Sequence, residues 1–260
     1  MRLAAGKESH LRKVKIREIS SKSIISASKI HDYVVNPYVG CAHGCSYCYA
    51  RYMKRFTDHR EPWGEFVDVK INAAELLAKE IKKKTRGNIW MSGVCDPYQP
   101  LETKYELTRS CARIIVEHGW PLSVQTRSPL VLRDLDILRK GKDVEAGFSI
   151  TTADERIRKM FEPCASPIPE RLKALRALHD NGVRTFVMIA PILPGAVDLI
   201  DKIEGIADHI IIDRMNYNHA DHIYKKHNLT HKNTDGYFAE AGELIAAKCR
   251  EKKIELMWAY

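Results

Sequence analysis

The stretch Asn36-Pro-Tyr-Val-Gly-Cys-Ala-His-Gly-Cys-Ser-Tyr-Cys-Tyr-Ala-Arg51 carries three cysteines, Cys41, Cys45 and Cys48, spaced C-x3-C-x2-C on a Gly-containing loop. Three thiols on so short a loop can converge on one inorganic centre, and three centres compete for them. A zinc ion takes four protein ligands, or three and a water, in patterns such as C-x2-C matched by a distant second half; His43, two residues after Cys41, fits that poorly. An ordinary iron–sulfur cubane takes four cysteines, and the next one, Cys95, is 47 residues beyond Cys48. A [4Fe–4S] cluster on three cysteines leaves one iron open, and an open coordination position is where a metal centre does chemistry rather than structural work.

Outward from the loop, short β-rich runs alternate with helical ones. The loop grows out of an extended run at 32–38. Further strands are expected at 88–94, 122–126, 146–152, 184–190 and 209–213, and one more at 254–259. Helical periodicity covers 73–81, with Leu77 and Ile81 on one face, and 170–182, with Leu172, Leu175 and Leu178 together before an Asn-Gly stop. A third amphipathic run spans 239–250. Strands alternating with helices predict βαβ units and a parallel sheet, here an α/β partial (β/α)6 barrel. Ligands of such sheets bind beyond the carboxyl ends of the strands. The chemistry-bearing residues fall there: Cys41 to Cys48, Gly93-Val-Cys-Asp-Pro97, Thr126-Arg127, Ser149 to Thr152 and Pro191-Ile-Leu-Pro-Gly195.

Composition bounds the remaining possibilities. The chain has 260 residues, 45% hydrophobic and 29% charged, as in a soluble globular protein. The longest apolar stretch, 185–197, is short and holds Pro191, Pro194 and Gly195, so no membrane partner is expected. The first residues, MRLAAGKESHLRKVK, show no apolar core with a cleavage site. Seven cysteines without a secretion signal point to a reducing, cytoplasmic setting. Of the net charge of +9, residues 1–30 carry eight basic side chains against Glu8 and Glu18. This basic N-terminal extension, 1–30, beside a core domain, 31–260, reads either as a solvated terminus or as a footprint for a polyanion such as nucleic acid. His219, His222, His227 and His231 interleave with Lys225, Lys226 and Lys232, which favours a basic surface over a metal site.

The motifs and their order resemble the radical S-adenosylmethionine superfamily, in the branch related to spore photoproduct lyase and often labelled DNA repair photolyase. Those motifs are Tyr-x-x-Asn-Pro-Tyr-x-Gly-Cys-x-His-Gly-Cys-x-Tyr-Cys-Tyr-Ala-Arg, Ser-Gly-Val-x-Asp-Pro-Tyr-Gln-Pro, Arg-Asp-x-Asp-Ile-Leu, Ser-Ile-Thr-Thr and Ala-Pro-Ile-x-Pro-Gly, spread from about Ser23 to Asp213. The resemblance implies a radical SAM core in which Cys41, Cys45 and Cys48 hold the [4Fe–4S] cluster. It implies S-adenosyl-L-methionine as cofactor, a 5′-deoxyadenosyl radical that takes hydrogen from the substrate, and an electron donor of the flavodoxin or ferredoxin type. The substrate it points to is nucleic acid, repaired or modified in a lyase-like reaction. A protein or small-molecule substrate, or a non-catalytic iron–sulfur nucleic-acid-binding or electron-transfer protein, are the alternatives.

The same resemblance implies residue roles. Tyr47 matches an aromatic that packs on the adenine, and Tyr47 and Tyr49 match tyrosines that relay a radical; the bland alternative for both is packing. Arg127 matches a lysine that holds the cofactor carboxylate, a task for which a guanidinium fork is suited. Ser149 matches a polar cofactor contact, and Pro191 to Gly195 the wall under the adenine. The branch's hydrogen-donor cysteine falls on Gly93, which cannot serve. Cys95 matches a serine near the cofactor and is either a displaced donor, a cofactor contact or a small buried residue. Asp96 and Glu102 either line the pocket or are an Asp-Pro turn and an exposed acid.

Anaerobic reconstitution is expected to give about four irons per chain. Cys41→Ala, Cys45→Ala and Cys48→Ala should each abolish the cluster, whereas Cys111→Ala and Cys249→Ala should not. Zinc as the sole metal after anaerobic purification contradicts this.

Overall fold

A computed structural model describes residues 13–259. It divides into two compact units, one holding the chain up to Gly44 with Ala50–Ala146, the other Cys45–Tyr49 with the chain from Gly147 onward.

In the first unit, β1 (Lys15–Ile19), β5 (Phe66–Lys70) and β4 (Tyr38–Val39) form a three-stranded sheet, β1 parallel and β4 antiparallel to β5. A second sheet runs in the order β7 (Leu122–Thr126), β6 (Ile89–Met91), β3 (Tyr33–Val35), β2 (Ile25–Ala27). β3, β6 and β7 are parallel, and their register sets Val35 beside Met91 and Met91 beside Val124. Asn36 and Ser92, which follow β3 and β6, therefore leave the sheet at the common end toward which β7 runs on through Gln125 and Thr126. β8 (Val144–Ser149) runs across the division. The second unit continues in the order β11 (Glu255–Trp258), β10 (His209–Ile212), β9 (Arg184–Ile189), β8, with β9, β10 and β11 parallel. The fold is the expected mixed α/β partial barrel with parallel strands: β3, β6 and β7, then β8, β9 and β10.

The expected strands stand within two or three residues of their places, with two informative differences. The run at 32–38 is broken into β3 and β4 at Asn36-Pro37, because proline has no N–H to continue a ladder. The basic stretch 1–30 is built into the sheets from Lys15 on, as β1 and β2, rather than appended to them. Its first twelve residues lie outside the described part. β1 and β5 gave no alternating signal because β1 is mostly charged and exposed while β5 buries Asp68 among Phe66, Val67 and Val69. Asp68 is tolerated there because Arg17 forks onto it at 2.8 and 3.0 Å and His59 Nε2 meets it at 2.8 Å.

Helices at Ala73–Glu80, Ile168–Asp180 and Asp235–Lys252 match the expected ones, and Cys111 lies buried on the helix Leu107–Glu117. The buried face of Ile168–Asp180 consists of Ile168, Arg171, Ala174, Leu175 and Leu178; Leu172, expected on it, is at its margin. No helix among the described residues is long and apolar enough to cross a membrane.

Gly40, immediately before Cys41, has φ +85, and a Cβ there would sit 2.4 Å from the Phe66 carbonyl oxygen in β5. The loop leaves the sheet only because glycine occupies this position. Gly40→Ala combines a left-handed backbone cost with overpacking against a backbone atom, together about 2–4 kcal/mol. A thermal unfolding curve should show a midpoint several degrees lower; an unchanged midpoint would refute this account of the loop.

Candidate active site

The cysteine loop is anchored separately in each unit. In the first, Cys41 is buried and its carbonyl accepts the Gly44 N–H at 3.3 Å. The fully buried Gln99 side chain grips this turn from both sides of its amide. Its Oε1 accepts the Ala42 N–H at 2.9 Å, and its Nε2 donates to the Gly40 carbonyl at 3.3 Å. His43, 2% exposed, brings Nε2 to 3.2 Å from Asp96 Oδ2.

Asp96 lies just past the end of β6. Its carboxylate accepts the Thr126 hydroxyl at 2.6 Å, the Arg127 backbone N–H at 2.7 Å and the Tyr98 N–H at 2.9 Å. Burial by itself would raise its pKa, but His43, the Thr126 hydroxyl and the Arg127 charge together hold it down to about 2. Asp96 thus opens the expected Asp-Pro turn, in which the Gln99 N–H donates to the Asp96 carbonyl at 3.3 Å, and is at the same time a buried anion shared by three segments. Arg127 follows β7 directly and is half-buried.

Cys95 is half-buried against the apolar cluster of Tyr38, Val67, Val69, Leu101 and Leu107. Its Sγ is 3.2 Å from Ser92 Oγ and donates to the Tyr38 carbonyl at 3.5 Å. Burial pushes the thiol up to about 12, so it keeps its proton at neutral pH. Glu102 is fully buried, which removes the exposed-acid reading. It accepts from the Tyr38 hydroxyl, the Thr108 and Arg109 N–H groups at 3.1 and 3.2 Å, and Arg133 at 2.7 Å. Two of these are the open N–H groups at the start of Leu107–Glu117, so Glu102 caps a helix inside the fold.

In the second unit, the Ser46 N–H donates to the Phe161 carbonyl at 2.8 Å, and the Cys48 N–H to the Cys45 carbonyl at 3.3 Å. Cys45 is buried and Cys48 half-buried. Tyr47, 7% exposed, packs with Ile157, Phe161, Leu193 and Tyr224. Its hydroxyl donates to Glu162, which also accepts from Thr151 Oγ1 at 3.2 Å and meets Arg171 at 2.6 Å. Arg171 in turn donates to the Ser149 carbonyl at 2.9 Å. Tyr47 and Ser149 are therefore joined through a fully buried Glu162–Arg171 pair. The 190s wall is pinned beside Ser149: Leu193 N–H to the Thr151 carbonyl at 3.1 Å, and Thr152 Oγ1 to the Pro194 carbonyl at 2.6 Å. Tyr49 is exposed, at 40%.

Glu162 and Arg171 were not singled out from sequence; His43 entered only as a poor zinc ligand and Gln99 only within the Asp-Pro-Tyr-Gln-Pro motif, without the partners the fold gives them. For Arg171 the signal existed: a charge in line with Leu175 and Leu178 on a buried helix face needs a buried partner. For the others nothing local marked their partners. His219 stacks on Tyr217 at 5.5 Å, and among the described residues the four histidines join no metal-holding group.

Three thiols on one loop supply the soft donor set of an iron–sulfur cluster. Three further polar atoms of the loop, both ring nitrogens of His43 and Ser46 Oγ, are buried with no hydrogen-bond partner among the described residues, Nε2 having only its 3.2 Å approach to Asp96 Oδ2. Each such atom costs about 1–3 kcal/mol, a cost that a polar group seated on the loop relieves. The residues present fit the group.

The family model described as the Radical SAM superfamily matches residues 35–209. An uncharacterized protein of Methanocaldococcus jannaschii is 36% identical over 189 residues, 72% of this chain and 71% of that one. The radical SAM Nalpha-GlyT isomerase of Pseudomonas phage M6 is 24% identical over 188 residues, 69% of this chain but 38% of the phage protein. Among solved structures, a spore photoproduct lyase mutant with dinucleoside spore photoproduct superposes with a TM-score of 0.72 at 15% identity, covering 100% of this chain and 86% of that one. At that identity the likeness is one of fold.

Asp96 supplies a test of the buried charge. A carboxyl held near 2 in the fold against 3.8 when unfolded stabilises fully above about pH 4 and loses that contribution as pH falls toward 2. The shift corresponds to about 2 kcal/mol. Wild type should therefore be more stable than Asp96→Asn at pH 7, and the gap between them should shrink by about 2 kcal/mol from pH 4 to pH 2 in denaturant titrations. A gap independent of pH would contradict the shared-anion description.

Proposed function

The chain belongs to the radical SAM superfamily, and from that premise we propose that its substrate is nucleic acid, which it repairs or modifies in a lyase-like reaction. It is an enzyme of that superfamily, with a [4Fe–4S] cluster and S-adenosyl-L-methionine as cofactors. Cys41, Cys45 and Cys48 are the residues that would hold the cluster. Arg127 would clamp the cofactor carboxylate, Tyr47 face the adenine, and Ser149 give a polar contact. When bound, the two groups together supply an electron and a 5′-deoxyadenosyl radical able to remove hydrogen from an unreactive C–H bond.

The protein's own part is to orient, exclude water and deliver hydrogen. Cys95 is suited to delivery because burial keeps the sulfur protonated: the S–H bond breaks, a C–H bond forms on the substrate radical, and a thiyl remains on Cys95. The buried Tyr47 hydroxyl and the exposed Tyr49 bracket Cys48 and are the proposed relay for that thiyl. The reductant is proposed to be a flavodoxin or ferredoxin.

One observation carries the substrate reading. The 3-10 segment Tyr49–Phe56 presents exposed Tyr52 and Phe56, 44% and 65% exposed, directly after the last motif cysteine. Arg55 lies over both rings, 5.5 and 4.7 Å from their centroids. Exposed aromatic faces interleaved with Arg51, Lys54 and Arg55 suit bases and phosphates together. The N-terminal charges count for less, because Lys15 pairs with Glu61 and Arg17 with Asp68.

Single-stranded oligonucleotide binding should weaken steeply with salt. The Tyr52→Ala, Phe56→Ala double variant should lose about 1–3 kcal/mol per stacked base. Deleting residues 1–12, which leaves β1 whole, should flatten the salt slope. With reduced protein, Cys95→Ala should still cleave S-adenosylmethionine but change the nucleic-acid product, while Cys95→Ser should separate donation from simple packing. Absence of oligonucleotide binding at moderate salt would turn the reading to a protein or small-molecule substrate.

A further inference from the structure

Three segments distant in sequence meet on the Asp96 carboxylate: the motif loop through His43, the end of β7 through Thr126 and Arg127, and the turn after β6 through Tyr98. We propose that His43 and Asp96 are positioning residues that set the Arg127 guanidinium in register with the Cys41 turn, so that the grip on the S-adenosylmethionine carboxylate depends on a side chain inside the cysteine motif. The proposal rests on the reading of Arg127 as the carboxylate clamp.

The valence of the carboxylate makes the case. Two oxygens offer about four acceptor sites. Oδ1 takes the Thr126 hydroxyl and the Tyr98 N–H, and Oδ2 takes the Arg127 N–H and faces His43 Nε2. Both oxygens already carry hydrogen bonds and His43 Nε2 lies 3.2 Å from Oδ2, so Asp96 acts through its neighbours. What it fixes on Arg127 is the backbone N–H, and with it the direction in which the side chain leaves the chain. A guanidinium at the end of a long flexible stem is aimed by that starting direction, and an error of about 1 Å at a reacting group costs about a hundredfold. His43 fixes the other side of the same carboxylate, two residues from Cys41. Both side chains are at least nine-tenths buried, at 2% and 5% exposure. A buried polar pair contributes little net stability compared with apolar packing, which leaves registry as its use here. Gln99 already holds the Gly40–Ala42 backbone on its own, so the loop has a structural clamp independent of His43.

The test uses the full chain, reconstituted anaerobically, with iron content and S-adenosylmethionine affinity measured by equilibrium titration. His43→Ala should keep its iron, because all three cysteines remain, and bind S-adenosylmethionine about tenfold more weakly. His43→Gln, whose amide can reach Asp96, should recover most of that loss. Arg127→Ala should also lose about tenfold, and the double variant should be no weaker than Arg127→Ala alone, because a guanidinium that is gone needs no aiming. Losses that multiply to about a hundredfold, or wild-type affinity in His43→Ala, overturn the proposal while leaving the Arg127 reading intact. Unchanged affinity in Arg127→Ala overturns the Arg127 reading, and the proposal with it. Should His43→Ala lose iron, Asp96→Asn, outside the motif, replaces it in the cycle with Arg127→Ala. A double variant no weaker than Arg127→Ala then supports the proposal, and multiplying losses or wild-type affinity in Asp96→Asn overturn it.

Discussion

The site depends on a buried anion. Asp96 stands where the motif loop, the turn after β6 and the end of β7 converge; its carboxylate accepts hydrogen bonds from the turn and from the end of β7 and faces His43 of the loop at 3.2 Å. An unpaired charge in that position would be expensive, so each donor is required by the others. This is a constraint on geometry more than a source of stability. Hydrogen bonds to one small group fix angles as well as distances, and apolar packing around the same loop could not do so.

A similar device recurs in the second unit with other residues. Glu162 gathers the Tyr47 hydroxyl, Thr151 and Arg171, and Arg171 reaches on to the Ser149 carbonyl. In each unit a buried carboxylate converts a flexible stretch of the motif into a fixed one. Glycine supplies the complementary freedom: Gly40 takes a left-handed turn that a side chain would block against β5. The loop is thus free to bend at one residue and held at its neighbours.

Cys95, in the first unit, is a thiol in contact with apolar residues and with Ser92 and the Tyr38 carbonyl. Its surroundings favour the protonated sulfur. That is the form that donates a hydrogen atom, whereas a cysteine serving as metal ligand or nucleophile needs the thiolate. The environment separates it from the three motif cysteines, which belong to a loop where His43 Nδ1 and Ser46 Oγ are among the buried polar atoms without a hydrogen-bond partner among the described residues.

The architecture and the cysteine motif are legible in the amino-acid order. Strand and helix periodicities depend on local side-chain pattern, and the apolar runs at Leu122–Thr126 and Arg184–Ile189 announce themselves in any context. The spacing of Cys41, Cys45 and Cys48 is equally local. β1 and β5 escaped because a charged edge strand and a strand burying Asp68 do not alternate; Arg17 and His59, which make Asp68 acceptable, come from other segments. The same reason hid Glu162 and Arg171, and the partners of His43 and Gln99. It took the folded chain to make the Asp-Pro turn residue Asp96 a buried acceptor as well, and to bury Glu102 rather than expose it. A buried polar group is defined by the partners that satisfy it, and these partners lie from two to 115 residues away.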